Sequence, residues 1–200
     1  MEEALRGVAV LKDIPRQQEK EQIQLALERS NLIAHRTNKV GKLSGGMLRR
    51  LGIAQAFLGS PNLLIMDEPT VGLDPEERIY FRKVLREYAL GAGRIVLLSS
   101  HIVADIESLC DEVTILHHGQ VLANGPTAKV QALAEGQVGE RIVSEQKLRL
   151  LEDGHSVIQY VRVNEGIRVR YLAEDFSPSQ LVSPTLEDSY TYITKKGKKQ

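Results

Sequence analysis

The chain has a single cysteine, Cys110, which excludes any internal disulfide framework and fits a reducing compartment. A lone thiol of this kind reads as a small buried apolar residue, not a reactive one. No apolar run approaches the roughly 18 residues needed to cross a bilayer. Met1-Glu2-Glu3 has no basic flank leading into an apolar signal segment. A cytosolic protein that meets the membrane through a partner is therefore expected. Neither sign of charge dominates. Twenty-six basic residues balance twenty-six acidic ones, so no global field draws the chain to nucleic acid or to an anionic membrane. Absent too is any G-x-x-x-x-G-K-[ST] run, the loop whose backbone cradles a triphosphate. Gly41-Lys42 does not replace it, because the earlier glycine is missing at the right offset and no strand leads in.

What is present is a chain of 200 residues, 42% hydrophobic and 26% charged, enough for one core and a small appended unit. Leu5, Val8, Ala9 and Leu11 mark one face of a helix over residues 2–12, and Pro15 opens a second helix whose apolar residues are Ile23, Leu25, Ala26 and Leu27. Residues 34–42 read as loop. Ser44 stands at an N-cap position before Met47, Leu51, Ala54 and Leu58, and Gly59-Ser60-Pro61 stops that helix. The unbroken run over residues 63–66 predicts a strand buried on both faces of a parallel sheet, closed by Asp67-Glu68. A helix over residues 76–90, with Ile79, Val84, Leu85 and Tyr88 available for burial, leads to a second strand over 95–98, which makes a crossover unit. A short helix over 102–109, a hairpin turning at His118-Gly119 and a helix over 127–134 follow. Beyond Gly136 the texture changes to two alternating strands, 156–163 and 167–172, joined near Asn164-Glu165-Gly166. Residues 184–190 start a terminal helix, and 195–200 form a frayed basic tail.

Two features carry chemistry on physical grounds. The first N–H groups of a helix lack internal partners and sit at the positive end of the peptide dipoles. Glycines there let an anion approach, so Ser44, Gly45 and Gly46 suit a terminal phosphate. A carboxylate pair at the carboxyl end of a buried parallel strand, Asp67-Glu68, lies where α/β folds place ligands. Each has a plainer reading as well, a flexible turn in one case and an acidic loop in the other. His35, His117, His118 and His155 read as structural or exposed. His101, just after a strand, differs from them by context.

In order and spacing these pieces resemble the second half of the ATP-binding cassette of ABC transporters. Leu43-Ser44-Gly45-Gly46-Met47 is similar to the signature motif, with methionine where glutamine is commonest; residues 63–68 resemble a Walker B strand; Gly72-Leu73-Asp74-Pro75 resembles the D-loop. His101 resembles the switch histidine. The likeness continues through Asp105-Ile106-Glu107, Cys110-Asp111-Glu112-Val113 and Gly119-Gln120-Val121 to Asn124-Gly125, and residues 184–188 look like the ending of cassettes from two-component export systems. The resemblance implies an α/β fold: an incomplete P-loop NTPase-like parallel sheet with a helical signature subdomain at about 1–60 and a Walker B to H-loop core at about 61–135. A small α+β accessory region, 136–200, would follow.

By the same resemblance the cofactors are ATP and Mg²⁺. Asp67 would hold the metal through water, Glu68 would polarise the attacking water, and His101 would reach the terminal phosphate. Ser44, Gly45 and Gly46, with Asp74 of the D-loop, would face nucleotide across a head-to-tail pair of cassettes. The implied partners are a second cassette and an integral membrane permease subunit, with the chain on the inner face of the cell membrane. The leading expectation is an ATP-hydrolysing subunit for export, N-terminally truncated and inactive alone for want of the phosphate loop. Missing strands would also leave a sheet edge and apolar surfaces uncovered. Two alternatives stand beside it: a non-catalytic cassette that completes a partner's site, and a soluble ABC protein that binds nucleic acid. For the latter, the chain lacks long heptad coiled coils and offers only a short basic tail.

Overall fold

The computed structural model describes residues 1–153, 157–172 and 180–197. His155, Ser156 and the tail residues 198–200, on which some sequence expectations fall, lie outside this set. Contacts divide the chain into two units, Met1–Asp105 and Ile106–Gln200, whereas the change of texture in the sequence suggests a division after Glu135.

Three helices open the first unit: α1 (Glu2–Leu11), α2 (Arg16–Arg29) and α3 (Gly45–Phe57). Leu5 and Ala9 of α1 are buried, as are Ile23, Ala26 and Leu27 of α2, but Leu11, expected on the same α1 face, is 84% exposed at the last residue of the helix. Between α2 and α3 the loop contains two 3-10 turns, Ile33–His35 and Val40–Lys42. Both ends of α3 are capped. The Ser44 hydroxyl accepts the Met47 N–H at 3.2 Å, and the Lys12 ammonium donates to the carbonyls of Gln55 and Leu58 at 2.8 and 2.9 Å. A cation at a helix C-terminus satisfies orphan carbonyls and complements the dipole. Burial lowers the pKa of Lys12.

After α3 the chain forms β1 (Leu63–Asp67), α4 (Pro75–Ala89) and β2 (Ile95–Ser99). β1 and β2 pair in parallel, with Leu63 opposite Ile95 and Asp67 opposite Ser99. This is the crossover expected, a parallel β-α-β unit of an α/β fold. Phe57 and Tyr88 pack ring against ring at 5.2 Å, and Tyr88 also donates its hydroxyl to the Pro61 carbonyl. Leu85 and Phe81 bury the same face of α4.

Two expectations are corrected here. β1 is not buried on both faces: Leu64 and Met66 are inside, but Leu63 and Ile65 are 51% and 68% exposed. Ile95 and Leu97 continue that open row at 63% and 58%. The described β1–β2 sheet has two strands, and the core covers one side of it, so every second residue meets water. Ile79 is likewise exposed, and Phe81 takes its place in the core, because a 3.6-residue period brings 81, 84, 85 and 88 to one side.

Helix α5 (Val103–Leu109) spans the division between the units. The second unit begins with the hairpin β3 (Glu112–His117) and β4 (Gln120–Pro126), whose turn residues His118 and Gly119 have φ of 47° and 77°. Two left-handed residues make the turn whose twist matches the strands. Helix α6 (Thr127–Gln131) and a 3-10 turn (Ala132–Ala134) lead into β5 (Val138–Val143) and α7 (Glu145–Asp153). Then come β6 (Val157–Val163), β7 (Gly166–Leu172) and α8 (Leu186–Gly197). The antiparallel order is β5-β7-β6, and Val143, Leu148, Ile167, Val169 and Tyr171 form the core beneath α7. At the start of α8, Thr185 and Asp188 exchange backbone N–H and side-chain bonds, while Arg170 of β7 grips the Asp188 carboxylate at 2.6 to 3.1 Å. Among the described residues no helix is long and apolar enough to cross a membrane.

Candidate functional site

Parallel pairing fixes the site. Because Asp67 and Ser99 are register partners, the ends of β1 and β2 deliver Asp67, Glu68, Ser99 and His101 to one place. Ser99 donates its hydroxyl to Asp67 Oδ1 and accepts the Glu68 N–H at 3.2 Å. The Ser99 carbonyl accepts that N–H as well, at 3.1 Å. Glu68 leaves the strand with φ of 46°, a left-handed conformation that costs a non-glycine residue about 1–2 kcal/mol and clusters at functional sites. That turn aims its side chain back across the sheet end.

The Glu68 carboxylate then meets His101 twice. Oε1 accepts the His101 backbone N–H at 3.0 Å and lies 2.8 Å from the ring Nδ1. With the carboxylate ionised, Nδ1 carries the donating proton and Nε2 is left for another partner. The other oxygen, Oε2, is buried and has no hydrogen-bond partner among the described residues. The His101 ring is 72% exposed, so its far edge is open.

Behind this cluster Thr70 and Arg82 both bind the buried carboxylate of Asp105. The turn after Glu68 closes by Val71 N–H to the Glu68 carbonyl at 3.3 Å and Leu73 N–H to the Thr70 carbonyl at 3.2 Å. Asp74 caps α4 by accepting the Glu77 N–H at 2.8 Å, with Pro75 next in the helix, and the Asp74 residue is exposed. Asp74 therefore has a structural role as a helix cap whatever else it does.

Ser44 and Gly45 are exposed at the start of α3, and a Cβ added at Gly45 would meet nothing within 4 Å. The N-terminal end of α3 is therefore open. Two arginines of the next turn tie it to the rest: Arg49 donates to the Glu68 carbonyl, and Arg50 pairs with Glu77 at 3.1 Å. Sequence reasoning missed Arg49, Ser99 and Thr70 as parts of the site. Ser99 could be found by laying β2 beside β1 in register; nothing in the sequence sets Arg49 apart from other helix-surface arginines.

For a nucleotide with Mg²⁺ the donor set fits in kind. Mg²⁺ keeps most of its waters and takes one or two carboxylates plus phosphate oxygens, which Asp67 beside Ser99 offers. Among the described residues no group of three or more His, Cys, Asp or Glu side chains is placed to hold a metal by itself. Cys110 is half-buried; burial first, and the Asp111 charge second, push its thiol pKa up, which suits an inert residue.

Comparison with known proteins points to one family. A family model described as ABC transporter matches residues 2–71. The Nod factor export ATP-binding protein I of Rhizobium sp. (strain N33) is 34% identical over 189 residues, covering 88% of this chain and 61% of the relative. Its counterpart in Rhizobium johnstonii is 35% identical over 184 residues, covering 84% and 57%. The chain thus spans about three fifths of the length of these relatives. A solved structure titled as the ATP binding subunit of an ABC transporter superposes with a TM-score of 0.59 at 32% identity, over 65% of this chain and 54% of the other. Family model, relatives and solved structure agree with one another, and the chain belongs to the ABC transporter family of ATP-binding proteins.

Proposed function

We propose that the chain acts within the ATP-hydrolysing subunit of an ABC exporter. The observation that carries the reading is Glu68: turned back by a left-handed φ, held by His101 at two points, and left with one buried oxygen unpartnered. MgATP, when bound, supplies the transferable phosphoryl group and a metal charge that neutralises it. Asp67 holds the metal side through water, with Ser99 orienting its carboxylate. Glu68 would accept a proton from the attacking water. His101 keeps the carboxylate aimed and presents its free ring edge. Ser44, Gly45 and Gly46 offer hydroxyl and backbone N–H groups to a phosphate held by a second cassette. Asp74 sets the entry of α4 on that same side.

The Nod factor export proteins among the relatives support the export direction, and with it a permease partner on the inner face of the membrane. The 200 residues contain no phosphate loop, and we infer that this stretch by itself does not hydrolyse ATP. Purified alone, it should neither bind MgATP at micromolar concentration nor turn it over; either result would refute that statement. When the full chain is joined to the phosphate-loop segment of a relative, turnover should appear. There Glu68→Gln should hold ATP without hydrolysing it, and undiminished turnover would remove Glu68 from its role.

A second reading is a non-catalytic cassette whose signature face completes a partner's site, and the open N-terminus of α3 supports it. It predicts co-purification with an intact cassette and ATPase stimulation that Ser44→Arg abolishes.

A further inference from the structure

Arg49 stands one and a half turns into α3 and reaches out of that helix to a single backbone atom, the carbonyl oxygen of Glu68. That carbonyl belongs to the residue with the left-handed φ of 46°, and it also accepts the Val71 N–H at 3.3 Å. A charge-assisted bond to it stabilises a conformation that the residue itself disfavours. The guanidinium is also placed beside the next turn: its Nη1 lies 3.9 Å from where a Cβ of Gly72 would stand. Arg50, its neighbour, pairs with Glu77 at 3.1 Å and donates to the Asn31 carbonyl at 3.1 Å, so the second turn of α3 is anchored on both sides. The helix that begins at Ser44 is thereby mechanically joined to the backbone of residue 68, over a rise of about 7–8 Å at 1.5 Å per residue.

We propose that Arg49 is a positioning residue for Glu68: its guanidinium fixes the backbone of the base from the same helix whose N-terminus offers the phosphate contact. The inference rests on the assignment of Glu68 as base given above.

Two experiments test it. In the full chain alone, nitrogen NMR of the His101 imidazole should show Nδ1 protonated and hydrogen-bonded. Arg49→Ala should lose that signature while the amide spectrum of α1 and α2 stays in place, and Arg49→Lys should keep part of it. If Arg49→Ala leaves the Nδ1 signature intact, the proposal is overturned. In the full chain joined to a phosphate-loop segment, Arg49→Ala should lower kcat by about 10- to 100-fold, the scale of a misplaced catalytic group, with KM for MgATP within about twofold. Arg49→Lys should recover part of the loss, which a mere stability defect would not predict. An unchanged kcat in Arg49→Ala, where Glu68→Gln stops turnover, sinks the Arg49 proposal alone. If Glu68→Gln keeps its turnover, the base assignment fails first and this inference falls with it.

Discussion

Replacing Asp188 by alanine should destabilise the second unit by about 3 kcal/mol, for reasons that can be read bond by bond. Its carboxylate is fully buried and takes Arg170 Nε and Nη2, the Thr185 N–H at 2.6 Å and the Thr185 hydroxyl at 2.9 Å. Breaking a buried pair by deleting one partner costs roughly 3–5 kcal/mol, because the other charge is left uncompensated. Lost capping of α8 adds about 1 kcal/mol. Against this, Arg170 keeps Glu140 at 2.8 Å and the Ser183 carbonyl at 2.8 Å, which brings the sum to the lower end. Native stabilities are about 5–15 kcal/mol, so the loss should move a urea midpoint visibly by circular dichroism. Paired substitution sharpens the test: Arg170→Met with Asp188→Leu should cost less than the two single changes added together. A loss below about 1 kcal/mol for Asp188→Ala, or strict additivity in the pair, would show that the pair does not hold α8 to β7. The pH dependence has a definite sign. Burial pushes the Asp188 carboxyl up, but bonds from Arg170 and Thr185 outweigh it, and the group sits below its ordinary value. A depressed folded pKa means the contribution is whole above the unfolded value of about 3.9 and is lost as pH falls below it.

Other substitutions test separate points. Ile65→Lys should change stability by less than about 0.5 kcal/mol in urea titration, since the side chain already faces water, whereas Leu64→Lys one residue earlier should prevent folding. Equal effects would contradict the one-sided burial of β1. Gly72→Ala should cost about 1–2 kcal/mol and lower the melting temperature, because φ is +77° while the nearest atom to the new methyl is an unobstructive 3.9 Å away; no shift would mean the turn relaxes. Thr70→Val should lose about 1–3 kcal/mol by removing a donor from the buried Asp105, measured by the same titration.

Much of the first unit was legible because its signals are local. Ser44 reads as a cap from the residues that follow it, and it does accept the Met47 N–H. Pro15 and Pro75 read as helix openers, and they stand at the starts of α2 and α4. His118-Gly119 reads as a hairpin turn for the same reason. Less visible were β5 and α7. Gly139, Glu140 and Arg141 interrupt the apolar pattern of β5, and its partner β7 lies far along the chain, so its burial depends on pairing that no short window contains. The face of β1 that meets water is also invisible locally, since Leu63 and Ile65 look the same whether covered or bare. Within the site, acids and histidine announced themselves by spacing. Arg49 did not, because its role is a bond to a carbonyl oxygen, and every residue has one of those.

The left-handed backbone at position 68 sets two kinds of selection against each other. Glycine would relax the kink at once and asparagine would ease it, yet either change strips the sheet end of its proton acceptor. A library of variants sorted for heat resistance alone should therefore drift toward those replacements, and one sorted for turnover should keep the acid.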